Sequence, residues 1–207
     1  GFRDAKTAEM CRKAGANVAA VNYYFGGKES LYQEAWRHAF ARSMEVYPPD
    51  GGVSAEAPAA ERLRGHIQAM VRHSMDPASR DLDIAHREMS NPTGLLAEVM
   101  HRSLEPLRQM HLSIIRALLG VKATEQQVQL CEMSIHAQCI VSLMHERHRR
   151  LAPQKGHHLP PPRMKIDADA LAEHIIRFSL AGLREVKRGA GLAHRGGRDE
   201  SLEACRR

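Results

Sequence analysis

Asn22, Tyr23, Tyr24 and Lys28 lie close together in the segment AGANVAAVNYYFGGKES at 14–30, and their side chains suit a polyanion that also displays base edges. An asparagine amide can donate to and accept from one adenine at once, a pairing worth about 1–3 kcal/mol of discrimination in the major groove. Tyrosine hydroxyls and a lysine ammonium donate to phosphate oxygens, contacts that fix position and not sequence. Val18, Ala19 and Ala20 come just before them and are small and apolar, so a helix carrying them could approach closely and touch thymine methyl groups. Lys28 would also open a helix, whose free N-terminal amides favour an anion. Aromatic residues make up only 4% of the chain, which makes the run Tyr23-Tyr24-Phe25 informative.

Two short helices must carry these groups. TAEMCRKAG reads as a helix with Thr7 at its N-cap and Gly15 as its stop. After a brief turn Val18 to Phe25 forms a second helix, which Gly26-Gly27 breaks. Two helices joined by a tight glycine-containing turn match the helix-turn-helix plan. At about 100° per residue, Val21 and Phe25 fall together and are expected to enter a small core with Met10 and Ala14. Ala19, Ala20 and Tyr23 then point roughly the opposite way, with Asn22 and Tyr24 on the flanks.

The longer stretch TAEMCRKAGANVAAVNYYFGGKESLY resembles the DNA-binding signature of the TetR family of bacterial transcriptional repressors, through Thr7, Ala14-Gly15, Phe25, Lys28, Glu29 and Leu31. The resemblance implies a three-helix DNA-binding domain followed by a helical ligand-binding and dimerisation domain. By position it implies that Val18, Ala19, Ala20, Asn22, Tyr23, Tyr24 and Lys28 face double-stranded DNA and that Thr7 lies near a phosphate. Asn22 stands where the family often has tyrosine, so base preference does not carry over. The family's first helix lies upstream of a Gly-Phe pair, here Gly1-Phe2. The expectation is a natural protein longer at its N-terminus by about one or two helices of ordinary length. Further along, HREMSNPTGLL, the long helix after it and SIHAQCIVSLMHERHR are similar to the CecR-like regulators of that family, over most of residues 57–187.

The remaining pattern is helical almost throughout. A helix from about Lys28 to Val46 offers Leu31, Ala35, Phe40 and Met44 for burial, and YPPDGG ends it because proline lacks the amide a continuing helix needs. Leu63, Ile67, Met70 and Val71 then recur at helical spacing. A short helix around Asp81 to Met89 stops at SNPTG, and the next, Leu95 to Leu119, contains Pro106, which is expected to kink it. Thr124 caps a long helix that runs to HERHRR, and APQKGHHLPPPR links it to a last helix, Asp167 to Lys187. That helix carries Leu171, Ile175, Phe178 and Leu183 on one side. No strand pattern or repeat interrupts this series, so the expected fold is all-α. The expected domains are a partial helix-turn-helix domain at 1–47, a regulatory and dimerisation domain at 54–188, and a Gly- and Arg-rich disordered tail at 189–207.

The resemblance implies a homodimer joined by the last two long helices, and a C2 dimer would set its reading helices one DNA turn apart, ~34–36 Å or a multiple, on a roughly palindromic operator. Ile135, Cys139, Val141, Leu143, Ile175, Phe178, Leu180 and Leu183 are the candidate dimer residues, with internal core packing as the competing reading for each. The resemblance also implies release by a small-molecule effector. Met70, His73, Met89, Met100, Leu104, Leu107, Met110 and His111 are the candidate pocket, since methionines adapt to varied apolar ligands; here too plain core packing competes. Of thirteen histidines, His145 and His148 could share a helix face and His157-His158 are adjacent, but no cysteine pair or carboxylate completes a closed metal site. A net charge of +6 suits an anionic partner. Cys11, Cys131, Cys139 and Cys205 have no paired spacing, the pattern of a reduced, cytoplasmic chain. No apolar run approaches the ~18–20 residues that span a bilayer. With no Gly-x-Ser-x-Gly and no phosphate-binding glycine loop after a strand, neither an enzyme nor a cofactor is expected. The competing functional class is a helical ligand-sensing or partner-binding dimer that does not bind DNA.

Overall fold

The computed structural model describes the backbone of residues 2–151 and 167–204 and the side chains of 2–140 and 167–191. The described chain is all-α, with eight helices and no strand: α1 Thr7–Ala14, α2 Val18–Phe25, α3 Lys28–Val46, α4 Ala59–Met75, α5 Arg80–Ser90, α6 Ala97–Leu119, α7 Glu125–Leu151 and α8 Ala168–Ala204.

Local chemistry sets most of these limits. α1 stops where Gly15 turns left-handed, at φ 63, a conformation that costs glycine little because it has no Cβ. Thr7 is not its N-cap. Lys6 takes that place in an extended conformation, its carbonyl accepting from the amides of Glu9 at 3.0 Å and Met10 at 3.1 Å, and Thr7 is the first helical residue. Thr124 does cap α7, in a reciprocal pair in which its hydroxyl accepts from the Gln127 amide and its own amide donates to the Gln127 side chain. Asp167 caps α8 by accepting from the Ala170 amide at 2.9 Å. α8 continues through 189–204, where composition alone led to an expectation of disorder. Its sequence past Arg188 holds no proline to stop it, although Gly189, Gly191, Gly196 and Gly197 each disfavour helix by about 1 kcal/mol relative to alanine.

The chain divides into two compact units, and they are not consecutive blocks. The first gathers α1, α2, α3, α5 and α6 as far as Glu105; the second holds α4, α6 from Pro106, α7 to Leu143, and α8. α6 remains one helix through Pro106, and the division falls at that residue.

Trp36 organises the first unit. It is 2% exposed, stacked on Phe40 with centroids 5.0 Å apart, and buried with Leu96 and Val99, while Tyr32, Ile84 and Met100 pack around them. This cluster explains why α5 and the front of α6 join the N-terminal helices. Of the residues expected in the α3 core, Phe40 belongs to it, whereas Ala35 is exposed. In the second unit Leu63, Ile67 and Val71 of α4 are fully buried against α6, α7 and α8. Arg64 pairs with Glu173 at 2.5 Å and Arg72 with Asp169 at 2.9 Å across α4 and α8. The turn before α4 is seated directly on its backbone: a Cβ on Gly51 would come within 2.3 Å of the Gly65 carbonyl oxygen. Among the described residues no helix is long and apolar enough to cross a membrane.

Candidate nucleic-acid interface

α2 is eight residues without a charged side chain, VAAVNYYF, and so short a helix needs fixed ends. Asn17 supplies one, its side-chain oxygen accepting from the Ala19 amide at 2.6 Å. Gly26 supplies the other, left-handed at φ 74 with its amide donating to the Asn22 carbonyl at 2.9 Å. Gly27 follows at φ 147, and Lys28 begins α3. The capping role of Asn17 was missed in the sequence, although an asparagine just ahead of an apolar run is the usual signal.

Between these ends the helix turns one face inward and the rest outward. Val21 is buried with Cys11 of α1. Tyr23 is 83% and Tyr24 75% exposed, their rings edge-on at 5.0 Å. Val18, Ala19 and Asn22 are exposed as well, and Ala20 is half-buried. Phe25 is not the core plug the helical wheel predicts: it is 37% exposed, and Ala14 is exposed too. Each is the last residue of its helix, and the buried residue of each helix is instead Cys11 in α1 and Val21 in α2. Thr7, at the start of α1, is half-buried. Lys28 is half-buried with its Nζ 4.4 Å above the Phe2 ring, a cation–π contact that leaves an ammonium able to donate elsewhere. The result is an exposed patch of phenols, an amide and small side chains.

The eight candidate pocket residues are split between the two units. Met89, 58% exposed, Leu104, exposed, and Met100, packed on the Trp36 cluster, lie in the first. Met70, His73, Leu107, Met110 and His111 lie in the second. Met70 and Met110 pack against its core, and His73 stacks on Tyr47 with centroids 5.7 Å apart. His111 is buried beside His66, with centroids 4.6 Å apart. His66 Nδ1 donates to the Pro49 carbonyl at 2.7 Å. Burial pushes the His111 imidazole down to about 3, helped by the charges of His66 and His136, and burial also lowers His66.

Of the candidate dimer residues, Ile135, Cys139, Ile175 and Leu183 are buried in the chain's own core, and Ile135 and Leu183 also line a groove between α7 and α8. Leu180 packs against that core as well. Phe178 is 63% exposed. It borders the same groove, of about 430 Å³, with Leu130, Cys131, Gly182 and Val186 along it. Leu130 and, on α7, Met133 are also exposed. The side chains of Val141, Leu143, His145 and His148, and residues His157, His158 and Cys205, lie outside the described residues. Among the described residues no group of His, Cys, Asp or Glu is arranged to hold a metal ion.

Residues 59–183 match the family described as HTH-type transcriptional dual regulator CecR, C-terminal domain. The chain is also similar to the HTH-type transcriptional dual regulator CecR of Shigella flexneri, 28% identical over 143 residues. The match spans 61% of this chain and 61% of that relative's length.

Proposed function

The chain belongs to the CecR C-terminal domain family of transcriptional regulators, and from that premise we propose that it is a DNA-binding regulator whose α2 is the reading helix. The observation that carries this is the outward face of α2: two highly exposed tyrosines, Asn22 and Ala19 on an uncharged helix fixed at both ends, in a chain of net charge +6. Apolar and phenolic side chains exposed in this way mark a contact surface. In this reading Asn22 and Ala19 meet base edges, Tyr23, Tyr24, Thr7 and Lys28 meet backbone, and Val18 and Ala20 let the helix seat deeply.

The same reading makes the protein a homodimeric repressor on a palindromic operator, released by a small apolar effector. The groove between α7 and α8, with exposed Leu130, Met133 and Phe178, supports a second copy as its occupant. The relative's name covers both directions of regulation, and a reporter fused to the target promoter, compared with and without the gene, decides the sign here.

The test is binding of the full-length protein to a labelled duplex of its own upstream region across a salt series. Log affinity should fall linearly with log salt, by about 0.9 per phosphate contact. Lys28→Ala should weaken binding to every sequence and reduce that slope by about one. Asn22→Ala should instead change base preference by about 1–3 kcal/mol at one position of each half-site. Absence of binding at low salt sinks the proposal.

A further inference from the structure

We propose that Glu88 is a positioning residue for DNA recognition: its carboxylate clamps the turn at 92–95 onto α3 and thereby fixes the end of α3 that carries Lys28. The inference rests on the DNA-binding function proposed above and concerns residues far from α2 in sequence.

Glu88 stands near the C-terminus of α5, and the segment after it is folded around its carboxylate. One oxygen accepts from the Thr93 amide at 2.8 Å, the Thr93 hydroxyl at 2.8 Å and the Gly94 amide at 3.0 Å. The other is 3.0 Å from the Thr93 hydroxyl and accepts from the Tyr32 hydroxyl at 3.2 Å. Gly94 is left-handed, at φ 79, which turns its amide toward the carboxylate at little cost to glycine. Hydrogen bonds to an ionised acceptor are the stronger kind, so this is a firm attachment between α3, α5 and the turn.

Two further side chains hold the same turn. Gln33 donates to the Leu95 carbonyl at 2.9 Å, and Arg3 to the Pro92 carbonyl at 3.2 Å. Tyr32 is the link toward DNA. It lies one helical turn after Lys28, on the same face of α3. Its ring centroid is 5.0 Å from that of Phe2, and the Phe2 ring lies beneath the Lys28 ammonium. Burial, then the Glu88 charge, raises the Tyr32 hydroxyl to about 12, so it remains a donor at every working pH. A carboxylate that fixes the Tyr32 hydroxyl fixes the ring, the ring supports Phe2, and Phe2 sets where the Lys28 ammonium sits. A structural staple without a role in recognition would stabilise the first unit and leave the count of phosphate contacts unchanged.

The salt series on the full-length protein and its upstream duplex separates the two. Glu88→Gln replaces one acceptor oxygen with a donor, and loss of charge-assisted bonds should weaken binding by about tenfold at fixed salt. The slope of log affinity against log salt should fall by about 0.9, as for Lys28→Ala, because one phosphate contact is lost. The double variant should bind no more weakly than Lys28→Ala alone. Should Glu88→Gln lose its helical circular dichroism, Tyr32→Phe, which removes a single hydroxyl, carries the same test. A changed melting temperature with an unchanged slope, or losses that multiply in the double variant, overturns the positioning role while DNA binding stands. Failure of the unaltered protein to bind the duplex overturns both.

Discussion

The buried imidazoles of His66 and His111 tie the stability of the second unit to pH. Both are pushed down by burial, His111 to about 3, with His136 adding repulsion. In the unfolded chain each takes a proton near 6.5. Unfolding below that pH therefore binds protons that the folded protein refuses, so stability is full above about 6.5 and drains as pH falls toward the folded values. A histidine held neutral forfeits about 1.4 kcal/mol per pH unit across that window. His111 alone should cost about 2 kcal/mol between pH 6.5 and 5. Urea unfolding at the two pH values measures it, and His111→Leu should remove the His111 share of that dependence while leaving the share of His66. An unaltered protein equally stable at both values would contradict the assignment. Neither histidine announced this role in the sequence, where His111 read only as a possible pocket residue. Its partner, His66, sits 45 residues away, and separation of that kind leaves no local pattern.

Helices α3 and α8 show which elements were legible and which of their faces were not. The ends of α3 could be read because Gly26-Gly27 precedes it and Pro48-Pro49 follows it, and the helix occupies Lys28–Val46 as expected. Its inward stripe was misplaced: Tyr32, Trp36, Phe40 and Ser43 line it, and a buried serine gives no signal of burial. α8 repeats the lesson. Its most buried positions include Ala172, Ile176, Ser179 and Leu183, of which two are small or polar. Phe178, about 100° of rotation before Ser179, therefore projects outward. The two large residues Ile175 and Phe178 should consequently behave in opposite ways. Ile175→Ala should cost about 2–5 kcal/mol of folding stability. Phe178→Ser should leave stability within about 0.5 kcal/mol and shift the sedimentation coefficient of the proposed homodimer toward the monomer. A dimer unaffected by Phe178→Ser would place the interface on another face.

At the scale of the whole molecule, α2 belongs to a unit that the linear order of the chain conceals. The break after Val46 was visible in YPPDGG, yet 76–105 returns to the first unit. Trp36 meeting Leu96 and Val99 decides that return, and an apolar side chain carries no record of which distant neighbour it will meet. The likeness to CecR-type regulators was read from HREMSNPTGLL and the long helices after it, and the family match at 59–183 crosses both units. Trp36 is also the chain's sole tryptophan, and this gives the molecule an optical asymmetry. Indole emission reports melting of the first unit and is blind to the second, whereas far-ultraviolet ellipticity sums over all helices. Heating the protein while recording both signals therefore measures how tightly the two units melt together: coincident midpoints mean one cooperative transition, and separated midpoints assign the emission change to the unit that holds Trp36.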